Sequence, residues 1–423
     1  MILSGHIDNL SILHCLRHAH HDTSIQFLEL NFLIWDDSVR TAVMELLRAR
    51  RSMERVTVQG GSGRIGPIWT NVNHLILEQV ILQEPLVVSD DLLQSLSLLS
   101  MSLSIPVATA VGTSLRHGPH LLRLDLTDSR FVDPEQGIQT IARGLQNNTS
   151  LQQLILADCN FVDEQIATIV RSLQGHASIQ ELDISFNKCR SLGVAALVDM
   201  IETTPSLKKL AMGFQAFGEA KRIELEPLLT TLASTALSSS ETANLEGRGR
   251  EGGGLLELEL GGNSLRDGDV SFLVMMLCHH PSLQVLDLSQ NRITDVGMQL
   301  LAQSMEQYKS LRRLGLDENR FTNRGIELFI QALQGGKRRS KNTTVEAIDV
   351  GEGFSTIEKL NYYLDLNWGG RRLLSATEHV PSGLWPMVLA RVNQAKPALD
   401  FDRPIQALDV LFYFLRGPIL LER

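Results

Sequence analysis

Leucine and other aliphatic residues recur along this chain at spacings that neither a lone helix nor a lone strand accounts for. From Leu283 the sequence reads LQVLDLSQNRI, from Leu311 LRRLGLDENRF and from Leu255 LLELELGGNSL. From Ile179 it reads IQELDISFNKC, and from Leu151 LQQLILADCNF. All follow L-x-x-L-x-L-x-x-[N/C]-x-[L/I/F]. The alternation predicts a short strand whose positions 4 and 6 face a core while positions 3, 5 and 7 face the other way. A second apolar pattern follows each strand at helical spacing; after LSQNRI come Val296, Met298, Leu300, Leu301 and Met305. Twelve residues past each start a helix N-cap is expected, at Asp37, Asp133, Asp163, Ser191, Asp267, Asp295 and Asn323. Short polar side chains there accept hydrogen bonds from first-turn amides.

Looser copies begin at Ile25, Met53, Val72, Leu93, Leu121, Leu207 and Val345, which makes twelve units in all. The recurring distance of 28 residues holds a strand and a full α-helix, whereas the 19 and 21 after Met53 and Val72 do not. Those two units are expected to be irregular. On these residues the chain resembles the ribonuclease-inhibitor-like class of leucine-rich repeat proteins over about residues 10–355. The resemblance implies an α/β solenoid shaped as a horseshoe, with a parallel sheet on its concave face and helices on its convex face. The physics agrees: no unit can bury its own leucines, but stacked units share one core.

Departures from the period mark loops and ends. The segment 236–254 is Ser- and Gly-rich and reads as a flexible insertion in the solenoid, which is assigned to residues 1–355. GGKRRSKN at 335–342 carries Lys337, Arg338, Arg339 and Lys341, which read as a solvated loop or as a targeting signal. Residues 356–423 predict three helical stretches rich in aromatics, a segment that caps the last repeat or docks a partner. This tail is similar to one that accompanies repeat domains in algal proteins of unassigned function.

Composition narrows the function classes. Aromatics are only 5% of the chain, so the core is aliphatic, and the net charge of −9 argues against gripping nucleic acid phosphates. Four cysteines in 423 residues make no disulfide framework. With a start that lacks a basic leader, the expected location is cytoplasmic or nuclear. Residues 92–115 carry no charge, but they are Ser- and Thr-rich and hold Pro106. They align with the Leu283 unit as one more repeat, so no membrane span is expected.

Motif by motif, chemistry finds little support. Gly61-x-Gly63-x-x-Gly66 matches a dinucleotide fingerprint, yet Pro67 follows at once and a strand starts by Val72, which leaves no space for the helix that pyrophosphate needs. His14, Cys15, His18, His20 and His21 offer a metal-like spacing. The same His-His pair precedes the Leu283 strand as His279-His280, which favours a helix C-terminus, where histidine interacts with the dipole and carbonyls. Cys159 and Cys189 read as buried packing residues. The sequons at Asn148 and Asn342 would matter only in a secreted chain. No catalytic residues, cofactor or metal are expected, and the chain reads as a non-enzyme.

The concave face is the expected working surface. Position 5 contributes Glu29, Asp125, Asp183, Glu259, Asp287 and Asp349, with no base among the twelve units. Position 10, at the rim, contributes Arg130, Lys188, Arg292 and Arg320, with no acid. The expected function is a protein-interaction scaffold that presents an acidic stripe to a protein partner with a basic surface, not to nucleic acid or membrane. The alternatives are a regulator of an enzyme, such as a GTPase activator, and the ligand-sensing part of an immune-type receptor.

Overall fold

The computed structural model describes residues 1–368 apart from 5–8, 20, 21, 23, 50–52, 66, 67, 70, 83–85, 89–91, 119, 216–224, 235–253, 335–341 and 343. The chain forms two compact units, Met1–Glu219 and Ala220–Arg423.

In the first unit a parallel sheet runs in the order Ile2–Ser4, Phe27–Asn31, Met53–Gln59, Val72–Glu78, Ser95–Leu99, Arg123–Asp125, Gln153–Ile155, Glu181–Asp183, Lys209–Ala211. Its register sets each position 4 beside the next: Leu124, Leu154, Leu182 and Leu210 are successive partners. Helices Asp37–Arg48, Ile105–His117, Pro134–Gln146, Asp163–Ser172 and Ser191–Thr203 form the second layer. Pro106 sits in the first turn of its helix, as expected. The strand Ile2–Ser4 and helix Asn9–Ala19 form an additional unit that the leucine pattern misses, because only Leu3, the partner of Leu30, falls on a leucine position.

The two short units close differently. In place of helices they carry two-residue strands, Arg64–Ile65 paired with Ile81–Leu82 and Ile68–Trp69 paired with Val87–Val88. The glycine motif lies in this stretch. A strand, Arg64–Ile65, rather than a helix follows Gly63.

In the second unit Glu257–Glu259, Val285–Asp287, Arg313–Gly315 and Ala347–Asp349 form parallel pairs, with Leu258, Leu286, Leu314 and Ile348 in register. Helical segment 225–234 and helices Asp267–His279, Asp295–Ser304 and Asn323–Gln334 accompany them. The first predicted tail helix forms as Ile357–Trp368; it buries Leu360 and Leu364, and Asn367 Nδ2 donates to Val345 O at 2.7 Å. The other two tail stretches, most of 236–254 and Lys337–Lys341 lie outside the described residues.

Positions 4 and 6 are buried in both units, for example Leu154 and Leu156, and Leu286 and Leu288. Each such leucine contributes about 1.5–3 kcal/mol. The polar ninth position ties the turns together. Asn187 Nδ2 donates to Leu156 O, Ile184 O and Ser185 O, while its Oδ1 accepts the Phe161 amide. Asn291 does the same with Leu260 O, Leu288 O and Ser289 O, and accepts from Asn263 N and Leu265 N. Cys159 fills this position as a buried thiol 3.1 Å from Leu126 O, and burial pushes its pKa up to about 12.

The N-cap expectation holds at Asp133, whose side chain accepts the Gln136 amide. At Asp37 the cap is one residue earlier, on Asp36. Asp163, Ser191, Asp267, Asp295 and Asn323 are instead the first residues of their helices. Asp163, Asp267 and Asp295 reach across to the next repeat and accept the amides of Gly193, Gly297 and Gly325. A carboxylate therefore caps its neighbour's helix rather than its own. Uncapped amides lie one repeat away, within reach of the short side chain, because the helices stack in parallel.

Candidate functional site

On the exposed face of the second unit's sheet, Glu259, Asp287, Gly315 and Asp349 are consecutive partners in register. Local turn chemistry fixes the two aspartates. Asp287 Oδ1 accepts the Ser289 amide at 2.9 Å, and Asp349 Oδ1 accepts the Gly351 amide at 3.0 Å, so each carboxylate ends its own strand. Glycine leaves them room. A Cβ at Gly315 would overlap Asp287 Oδ1, and one at Gly351 would overlap Asp317 Oδ1. Asp317, at position 7, thereby joins the group. Asp349 titrates above the usual carboxylate range because burial and the nearby Asp317 and Asp287 charges outweigh the Gly351 hydrogen bond. Position 3 of the same strands contributes Glu257, Val285, Arg313 and Ala347.

The first unit's face has another character. Asp125 is buried; it pairs with Arg123 at 2.8 Å and accepts from the Thr127 amide and hydroxyl. Arg123 also donates to Gln153 at 3.0 Å, Gln153 donates to Glu181 at 2.9 Å, and Lys209 lies 3.7 Å from Glu181. A chain of polar contacts thus crosses four strands, with a base at each end and Gln153 and Glu181 between them. Asp183 is half-buried between Ile155 and Ala211 and accepts the Ser185 amide. Glu29 is half-buried between Ile2 and Thr57.

The rim cations are exposed in both units: Arg130 and Lys188 in the first, Arg292 and Arg320 in the second. Arg130 lies 3.3 Å from Asp158 and 3.6 Å from Asp128, exposed pairs of small net value. Position 5 alone misses Asp317, Arg123, Glu181, Lys209, Glu257 and Arg313. All of them follow from the same register once positions 3 and 7 are read, and they separate a charge-compensated face from an acid-rich one.

The remaining candidates resolve locally. His14 and His18 face each other on an exposed helix with Nε2 atoms 3.0 Å apart, while His20 and His21 lie outside the described residues. Among the described residues no three His, Cys, Asp or Glu side chains converge as a metal site. His279 does meet the carbonyl of Met275 at 2.8 Å, as the helix-end reading expects. His280 does not: its Nδ1 accepts the amides of Ser282 and Leu283, and burial pushes its pKa down to about 4. A neutral ring cannot answer the helix dipole, which corrects that part of the expectation. No described helix is long and apolar enough to cross a membrane, and residues 105–117 form an ordinary repeat helix.

The comparison with family models agrees with the repeat pattern. The family described as "Leucine Rich repeat" matches residues 279–302, which span the end of one unit and most of the next. Among solved structures, a TLR13–ssRNA13 complex is similar over 78% of this chain, with 16% identity and a TM-score of 0.39. The chain spans about half of that protein, 49% of its length. No curated protein matches the sequence.

Proposed function

We propose that this chain is a protein-interaction scaffold that acts by binding rather than catalysis, and that the sheet face of its second unit receives a basic segment of a protein partner. The observation that carries the reading is the grouping of Asp287, Asp317 and Asp349 over glycines. Burial raises the pKa of Asp349 above that of a free carboxylate, and the charges of Asp317 and Asp287 add to the shift. Carboxylates that raise one another's pKa gain when a cation arrives between them. Electrostatic attraction of this kind steers association and selects orientation. Glu259 extends the group by one strand, and the remaining position-5 acids, Glu29, Asp125 and Asp183, lie on the charge-compensated face of the first unit.

The test is titration of the full chain with an octalysine peptide at two salt concentrations. A variant carrying Asp287→Asn, Asp317→Asn and Asp349→Asn keeps the acceptor oxygens and removes three charges. Binding that weakens with salt and drops at least tenfold in the variant supports the reading. Equal affinity of the two proteins at low salt overturns it.

A further inference from the structure

The turns that follow most of the strands hold the eighth residue of the unit in the left-handed region, commonly a glycine or a polar residue: Gly60, Gln79, Ser100, Asp128, Asp158, Gly262, Gln290 and Glu318. Phe32, Phe186 and Phe214 break that pattern, at φ 54°, 57° and 53°; the Phe32 ring lies over Gly60, while Phe186 and Phe214 belong to neighbouring units. A bulky side chain is uncommon in this region. Packing gives little in return, since Phe186 is 50% exposed and Phe214 37% exposed. The rings lie stacked on one another, with centroids 4.2 Å apart and planes 7° apart. Neither the backbone nor the core asks for this pair.

Its surroundings indicate what the outer face of the stack would hold. The Asp158 amide donates to Ser185 O and the Phe186 amide to Gly213 O, so Asp128, Asp158, Phe186 and Phe214 form one row along the rim. Arg130 already lies against the two carboxylates of that row, at 3.3 and 3.6 Å. Aromatic faces attract cations. A guanidinium is flat enough to lie on a ring while its N–H groups reach a carboxylate beside it, which an ammonium does less well. A nucleobase would also stack, but its phosphates would approach Asp128 and Asp158 on a chain of net charge −9.

We propose that the Phe186–Phe214 stack is a docking platform for an arginine side chain of a partner protein, with Asp158 as the flanking acceptor. This rests on the reading that the chain binds a basic protein segment, but it uses a separate surface, on the first unit.

The experiment compares two fluorescent peptides of equal length and charge, one with four arginines and one with four lysines, binding to the full chain by anisotropy. The wild type is expected to favour the arginine peptide about fivefold. Phe186→Leu, which keeps the residue apolar, and the double variant Phe186→Ser/Phe214→Ser should each bring the two affinities together and leave the lysine peptide unchanged. Thermal melts confirm that both variants fold. The aspartate-to-asparagine variant of the second unit should weaken both peptides alike and preserve the fivefold ratio, so failure of that face and failure of the platform read differently. Equal binding of the two peptides by wild type, or a ratio that survives in the folded variants, overturns the platform. Binding of a thymidine decamer that is lost in Phe186→Leu would reassign it to nucleic acid and equally overturn the proposal.

Discussion

Asp267 caps a helix that is not its own: its Oδ1 accepts the Gly297 amide at 3.0 Å and the Thr294 amide at 2.8 Å, one repeat further on. The Thr294 hydroxyl binds its other oxygen at 2.7 Å. Glycine at 297 is part of the arrangement, because a Cβ there would stand 2.6 Å from Asp267 Oδ1. The same pairing recurs between Asp163 and Gly193 and between Asp295 and Gly325. It is a polar counterpart of the leucine stacking, and it ties neighbouring repeats together at the helix layer.

Asp267→Ala should therefore destabilise the repeat that follows it, by about 1–2 kcal/mol, the usual cost of a lost cap. Gly297→Ala should also destabilise, by pushing the carboxylate away, and the two effects should overlap in the double variant. Urea unfolding supplies the cycle, and amide exchange at Val296 and Gly297 localises it. Strictly additive losses would sink the coupling.

Acid should weaken the second unit through His280. Its folded pKa is held down to about 4 against an ordinary 6.5, by burial. Above pH 6.5 both states are neutral and the turn is at full strength. As pH falls from 6.5 toward 4 the unfolded chain takes up the proton first, so stability drops by roughly 2–3 kcal/mol. Asn148 and Asn342 make the same turn in other repeats, accepting two successive amides through Oδ1. His280→Asn should keep the fold and flatten this part of the pH–stability curve; a variant that tracks wild type between pH 6.5 and 4 would contradict the assignment.

At the acid-rich face, stability and binding should oppose each other. Asp349 titrates high, so ionising it in the folded state is unfavourable. Asp349→Asn retains an oxygen for the Gly351 amide and removes one charge facing Asp317 and Asp287. The variant should melt at a higher temperature than wild type at pH 7 and bind octalysine more weakly. A lower melting temperature would mean that the carboxylate is there for structure.

The fold was legible because its signal is redundant. Twelve leucine-rich starts agree on one register, and each lands on a strand that pairs in parallel with a neighbour in its own unit. What stayed hidden has a local cause in each case. Ile2–Ser4 escapes because only Leu3 of its three residues falls on a leucine position of the repeat. Spacing shows that Asp267 opens a helix but not that its side chain reaches the helix of the next repeat. The charge of the candidate face was half legible: position 5 finds Asp287 and Asp349, while Asp317 and the bases Arg123 and Lys209 sit at positions 7 and 3. Charge balance on a sheet depends on all three columns at once. No pattern in one sequence announces that Phe186 and Phe214 stack, since the two lie a whole repeat apart and only register brings them together.

The asparagine ladder makes a prediction that runs in both directions. Cys159 stands where Asn187 and Asn291 stand in other units, but its neutral thiol is a weak donor that meets Leu126 O at 3.1 Å and Ala157 O at 3.6 Å. Asn187 satisfies three carbonyls and one amide from the equivalent place. Cys159→Asn should thus add hydrogen bonds to carbonyls that are already buried, and each is worth about 0.5–1.5 kcal/mol net. Asn187→Cys should remove them and leave buried groups unpaired, at about 1–3 kcal/mol apiece. Measured under reducing conditions, the first variant is expected to gain stability and the second to lose more than the first gains. If Cys159→Asn lost stability instead, the spacing around residue 159 would be fitted to sulfur, and the ladder would not be one interchangeable position along the solenoid.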